Sequence, residues 1–147
     1  MMRQEPITLP SAIQSEQIVL GAILTDDSLF KSVLETGLVA EDFMCSPHRA
    51  VFSTMLDLYH DGFPVDQVSV ADRMGDQGDA FALMIDIMAG AVVLKSHVLY
   101  HCRLVRNKAR LREMLKIAEW ISETAPRAQD PQRLLAEAVE RLEAVGQ

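Results

Sequence analysis

The sequence predicts an all-α protein: a globular multi-helix head over residues 1–90, followed by a long-helix αα-hairpin over residues 91–147. Three observations carry this. Apolar residues recur at helical spacing between clear start and stop signals, and no period-two alternation is sustained. Aromatics make up only 5% of the 147 residues while methionine occurs 8 times, which suits a helical core of Leu, Ile, Val, Ala and Met. From Lys95 to Ala125 there is neither Gly nor Pro, so one long helix is expected there.

The elements follow in order. Ser11 and Gln14 form the pattern of a capping box, opening a first helix to about Leu24 with Ile13, Leu20, Ile23 and Leu24 turned inward. Asp26-Asp27 offers an N-cap and negative charge to a short helix from Ser28 to Thr36, which Gly37 ends. Ser46-Pro47 reads as a cap followed by Pro at the first helical position. Val51, Phe52, Met55 and Tyr59 continue that helix to Gly62. Pro64 forces Phe63–Asp66 to be extended. Val68–Met74 is a further helix ending at Gly75, a polar loop spans Gly75–Asp79, and a helix runs from Ala80 to about Ala89. After the long helix, Pro126 stops the chain and Asp130-Pro131 starts a last helix to about Val145 with Leu134, Leu135, Val139 and Leu142 apolar. The two helices form the hairpin.

On a helical wheel Leu111, Met114, Leu115, Ile117, Ala118 and Ile121 share one broad arc, expected to meet the returning helix. Trp120 falls opposite. It is expected either against the head or in a subunit or partner contact, where Trp is enriched.

Composition limits function. Net charge is −7, which opposes a general nucleic-acid coat. The charge is uneven: residues 1–90 hold four basic and 14 acidic residues, net −10, whereas residues 91–147 hold ten basic and seven acidic, net +3. Most of that excess lies in one stretch, Lys95, Arg103, Arg106, Lys108, Arg110, Arg112 and Lys116, against Glu113 alone. Their reading is either a solvated face complementary to the acidic part of this chain or of a neighbour, or a phosphate contact through Arg103, Arg106, Lys108, Arg110 and Arg112. No apolar run reaches the roughly 18 residues of a membrane span. Met1-Met2-Arg3-Gln4-Glu5-Pro6 holds no apolar h-region, so no secretory signal is expected, and the distant Cys45 and Cys102 suit reduced thiols in a cytoplasmic protein.

Reactive constellations are sparse. There is no phosphate-binding Gly-rich loop ending in Lys-Ser/Thr, no Gly-x-Ser-x-Gly elbow and no His-Glu-x-x-His. His97 and His101 share a helical face beside Cys102, but nothing nearby nominates further metal ligands. The pairs Asp26-Asp27 and Glu41-Asp42 sit at expected helix starts, where capping accounts for them. No catalytic, cofactor-binding or metal residue is expected, and the chain reads as an interaction module.

Four blocks then point to a family. Leu9-Pro10-Ser11-Ala12-Ile13-Gln14-Ser15-Glu16-Gln17-Ile18-Val19-Leu20-Gly21 resembles the opening pattern P-x-x-I-E-A-E-Q-x-V-L-G of DnaB-type replicative helicases. Asp42-Phe43 with His48-Arg49 and Phe52 resembles D-F-x-x-x-x-H-R-x-I-F. Gly62-x-Pro64-Val65-Asp66 resembles G-x-P-I-D, and Val105-Arg106-x-Lys108-Ala109-x-Leu111-Arg112 resembles V-R-E-K-A-x-L-R. The blocks fall in the family's order across nearly the whole chain. The departures are a shortened loop at Gly75–Asp79, the missing paired Gly before Phe81, the apolar Ala91–Leu94 in place of a polar Pro-containing connection, and His101-Cys102 after Tyr100.

The resemblance implies the helicase's N-terminal domain, without catalysis of its own. ATP and Mg would belong to a separate motor domain, before which this chain stops. Implied partners are a second copy of the chain, as a dimer or a trimer of dimers in a hexamer, the C-terminal domain of primase, and a helicase loader, with little or no DNA contact and no membrane. The primase-facing apolar positions fall on Leu115, Ile121 and Leu134; with Met114 and Trp120 these are the expected interface residues. Two other readings stand beside this one: a stand-alone loader or inhibitor derived from the domain, and a DNA-binding regulator using the basic stretch.

Overall fold

The computed structural model describes residues 8–75, 77–89 and 97–147, the side chains of residues 77 and 78 excepted. The expectations for the N-terminal leader region, for the connection Ala91–Leu94 and for a helix start at Lys95 lie outside these residues. The described residues form α1 (Ile13–Thr25), α2 (Phe30–Glu35), α3 (Ser46–His60), α4 (Gln67–Met74), α5 (Gln77–Ala89), α6 (Val98–Thr124) and α7 (Pro131–Val145), with no strand among them. The all-α expectation is met.

Helix α1 is the hub, packing against α3, α5 and α6. Its Val19, Leu20 and Ile23 are fully buried with Phe30, Val33, Phe43, Val51, Phe52 and Met55. Phe52 lies between Phe30 and Phe43, with ring centroids 5.7 and 5.0 Å away, an arrangement that adds to the area each ring removes from water. Tyr59 continues the stripe at its rim, edge-on to Phe30 at 5.1 Å.

Several helix starts differ from their local signals. The capping box at Ser11 does not form: α1 begins at Ile13 after Ala12, with no side-chain cap. Tertiary contacts hold this start instead. Arg112 of α6 takes the Pro10 carbonyl, Ser15 bonds His101, and Glu16 reaches α3. Ile13 consequently points outward at 41% exposure rather than inward. Residues 28–36 are not one helix. A 3-10 turn at Asp27–Leu29 comes first, capped by Asp26, whose carboxylate accepts from the Ser28 N–H at 3.1 Å; α2 follows. Ser46 is the first residue of α3 rather than its cap; Cys45 stands at the cap position with no side-chain cap, and the Glu16 carboxylate holds the approach to the helix by accepting from the Met44 and Cys45 N–H groups. The loop expected at Gly75–Asp79 is shorter, since α5 starts at Gln77 with Asp79 in its first turn, where the helix dipole favours a negative charge.

Gly37 follows α2 with φ +86°, and a Cβ there would meet the Arg106 guanidinium at 3.2 Å. Left-handed backbone and close approach together require glycine.

Helix α6, at 27 residues, is about 40 Å long. Its first half buries Val98, Cys102, Val105 and Ala109 while α6 packs on α1 and α2. Its second half is met by α7, whose start is capped by Asp130: the carboxylate accepts from the Gln132 and Arg133 N–H groups at 3.0 and 3.4 Å. Burial pushes the Cys102 thiol up to about 11, so it is an inert core group.

Candidate functional site

The α6–α7 seam is built from Ile117 and Ala138, both buried, with Ile121, Leu134 and Val145 half-buried beside them. Trp120 belongs to this seam. The Arg141 guanidinium of α7 lies over its ring at 3.8 Å from the centroid, a cation–π stack that covers the indole within the chain. Trp120 therefore does not lie against the head.

The arc expected to meet α7 mostly does not. Leu111, Met114 and Leu115 are 43%, 47% and 36% exposed, and Ala118 is exposed. Helix α6 is apolar around much of its girth here, so a wheel cannot choose the covered face. The aromatic surface of Trp120 and its pairing with Arg141 tip the choice toward the Ile117–Trp120 side.

On α7, Leu135, Val139 and Leu142 are likewise exposed. Helical phase relates the two stripes. On α6 the stripe Leu111–Met114–Leu115–Ala118 lies about 100° round from the seam in the sense of the helix, and on α7 Leu135–Val139–Leu142 lies a similar angle round in the same sense. For two antiparallel right-handed helices this puts both stripes on one side of the hairpin. The outcome is an uncovered apolar face two helices wide, and an exposed patch of this kind marks an interaction surface.

The basic residues divide differently. Arg112 is 9% exposed and donates to the carbonyls of Pro10 at 2.9 Å and Asp42 at 2.7 Å. Arg106 donates to the Thr36 carbonyl at 2.6 Å. Both anchor α6 to the head. Arg103 is exposed, while Lys108 and Arg110 are half-buried. Arg103, Arg106 and Arg110 share a surface cavity of about 300 Å³ with Thr36, Leu99 and Asn107.

The acidic pairs serve the backbone. Asp27 accepts from the Val65 N–H at 3.5 Å and Asp42 from the Val39 N–H at 3.0 Å. Burial raises the Asp42 carboxyl above the ordinary range, the Val39 hydrogen bond and Arg106 opposing it. His101 bonds Ser15 at 2.9 Å, and among the described residues no group of three or more His, Cys, Asp or Glu side chains could hold a metal. No helix among them is long and apolar enough to cross a membrane.

His101 yields a pH prediction. Burial, then the neighbouring His97, lowers its pKa from 6.5. Below pH 6.5 the unfolded chain therefore binds more protons than the folded one, and stability falls as the pH is lowered toward the folded value. A His101→Gln variant is expected to lose less melting temperature between pH 7 and pH 5 than the parent; an equal loss in both would remove the effect.

Sequence reasoning missed one constellation. Glu16, 1% exposed, accepts from the Met44 and Cys45 N–H groups at 2.8 and 3.2 Å and meets His48 Nδ1 at 2.9 Å. Arg49 donates to the Phe43 and Met44 carbonyls. The available signal was a glutamate in register with Val19, Leu20 and Ile23 on the buried face of α1.

Residues 8–107 match the family described as DnaB-like helicase N terminal domain. The replicative DNA helicase DnaB of Geobacillus stearothermophilus is 29% identical over 136 residues, 90% of this chain and 30% of that protein. The replicative DNA helicase DnaC of Bacillus subtilis (strain 168) is 29% identical over 144 residues, 94% of this chain and 31% of that protein. The chain thus spans about 30% of the length of these curated relatives. Among solved structures, the N-terminal domain of DnaB helicase from Mycobacterium tuberculosis superposes with a TM-score of 0.83 at 25% identity, covering 93% of this chain and 99% of that one. A DnaB-like replicative helicase, described with its interactions with primase, gives a TM-score of 0.76 at 29% identity, covering 89% of this chain and 30% of that one. With its helical fold and a match across residues 8–107, this chain belongs to the DnaB-like helicase N-terminal domain family.

Proposed function

We propose that this chain is a non-catalytic docking domain of a replicative helicase, in which residues 91–147 form a hairpin unit that pairs with a second copy and receives primase, and residues 1–90 form the head that carries it. The observation that carries the reading is the uncovered apolar face of Leu111, Met114, Leu115, Leu135, Val139 and Leu142. Burying it against another protein releases about 25 cal/mol per Å² of apolar surface. The primase interactions described for a structural neighbour support the choice of partner. Of the expected interface residues, Met114 and Leu115 lie on this face and Ile121 borders it, while Leu134 and Trp120 lie in the seam, turned away from it. Hydrolysis of ATP and movement on DNA belong, in this reading, to the part of the helicase not represented in these residues. A direct phosphate grip by the basic stretch is weakened, because Arg106 and Arg112 are committed to backbone carbonyls.

Sedimentation and affinity measurements test the proposal. The chain is expected to self-associate at high concentration, and Leu115→Asp with Leu142→Asp to weaken that association at least ~100-fold, since each aspartate places an unpaired charge in an apolar contact. Met114→Asp is expected to lower affinity for the C-terminal domain of a bacterial primase. A parent chain that stays monomeric at millimolar concentration removes the pairing claim; unchanged primase affinity in the folded variant removes the docking claim.

A further inference from the structure

A second apolar surface lies on the head, lined by no residue of α6 or α7 among those described. Phe81, Met84, Ile85, Met88 and Ala89 of α5, with Gln67 of α4, line a groove of about 430 Å³. Phe81 and Ile85, one helical turn apart, are 54% and 59% exposed. No described element covers them. Among the described residues of the lining, Gln67 is the one polar side chain.

The surrounding charge is one-sided. Arg73 is the only Lys or Arg between residues 50 and 89, and it is paired with Asp61 at 3.1 Å. Asp66 is occupied in capping α4, accepting from the Ser69 N–H at 2.8 Å. Asp72, Asp79 and Asp86, carried by the two helices that frame the groove, are exposed and form no ion pair among the described residues. An apolar groove in a negative field repels nucleic acid and anionic lipid and favours a cationic partner.

We propose that the α4–α5 groove receives a basic amphipathic helix of a partner protein, at a site separate from the hairpin face. From Phe81 to Ala89 the groove runs about 12 Å along α5. That length takes two turns of a helix with apolar anchors at positions i, i+3 or i+4, and i+7. Met84 and Met88 supply an unbranched wall that adapts to the shape of those anchors. Lysines or arginines on the helix flanks then enter the field of Asp72, Asp79 and Asp86. A second copy is a poorer occupant: its own cationic helix is α6, where Arg106 and Arg112 already hold that copy's head and Val105 and Ala109 are buried in it.

Methyl and amide NMR of the whole chain, titrated with a two-faced Leu/Lys helical peptide, tests the assignment. Saturable shifts centred on Ile85 and Met88 are expected. Added salt should weaken binding, and Phe81→Asp or Ile85→Asp should weaken it at least ~10-fold, while Leu115→Asp leaves it unchanged. Both groove positions are exposed, so their variants should keep the parent's melting curve; Ile85→Ser provides a milder substitution if an aspartate does not. Equal affinity in the groove variants, or shifts centred on α6 and α7, overturns the proposal. Nuclear Overhauser contacts from residues 91–94 to Ile85 in the free chain overturn it as well, by showing the groove filled from within. So does loss of self-association in Ile85→Asp, by showing a second copy there.

Discussion

Replacing Glu16 by alanine is expected to lower the stability of the fold by about 3–5 kcal/mol, the range for breaking a buried polar pair. The carboxylate is 1% exposed and holds three groups at once: the N–H groups of Met44 and Cys45, and His48. Its removal leaves two half-buried backbone donors and a buried imidazole without this partner, and each donor left unsatisfied costs about 1–3 kcal/mol. A void of carboxymethyl size adds to the loss. Against a total stability of about 5–15 kcal/mol, this is a large fraction. Glu16→Gln is expected to fall between the two, because its carbonyl oxygen can accept while its amide presents hydrogens where two donors already point. Urea unfolding with an unchanged slope measures both. An alanine variant within 1 kcal/mol of the parent would show that the approach to α3 does not depend on this carboxylate.

Glu16 also marks where the sequence stopped being legible. Helix order, the Gly stops at 37, 62 and 75, the extended Phe63–Asp66 and the long α6 were readable, because each follows from local backbone chemistry. Local caps were less reliable. Ser11 and Ser46 both carried valid signals, yet neither helix has a side-chain cap; the segment before each start is held by a side chain distant in sequence, Arg112 on the Pro10 carbonyl and Glu16 on the Met44 and Cys45 N–H groups. Contacts of this kind fix where the chain enters the helix, and no local pattern registers them. The α6 wheel failed for a different reason. With Leu111, Met114 and Leu115 on one side and Ile117, Trp120 and Ile121 on the other, periodicity established that α6 is apolar but not which side α7 covers. That depended on Arg141, a residue the hydrophobic pattern does not count. The inverted arc matters functionally, since it moves Met114 and Leu115 from the seam to the open face.

Arg112 ties that open face to the head, and its replacement is the second large effect expected. One guanidinium donates through separate nitrogens to the Pro10 and Asp42 carbonyls, joining α6 to the segment before α1 and to the turn before α3. The residue is 9% exposed, so it is shielded from competing water on most sides. Arg112→Met keeps much of the aliphatic stem but leaves both carbonyls open, and is expected to cost about 2–3 kcal/mol, the scale of charge-assisted hydrogen bonds. Arg112→Lys should resemble Met more than Arg: an ammonium is a point donor and cannot hold the planar, two-armed span. The diagnostic readout is local. Amide hydrogen exchange in residues 8–16 and 40–46 should accelerate in both variants, while protection at Ile117 and Ala138 in the α6–α7 seam stays near that of the parent. If lysine restores both stability and protection, the two-carbonyl bridge is not what orients the hairpin. If the seam loses protection together with the head, α6 and α7 unfold as one unit with it, and the head and hairpin are not separable in energy.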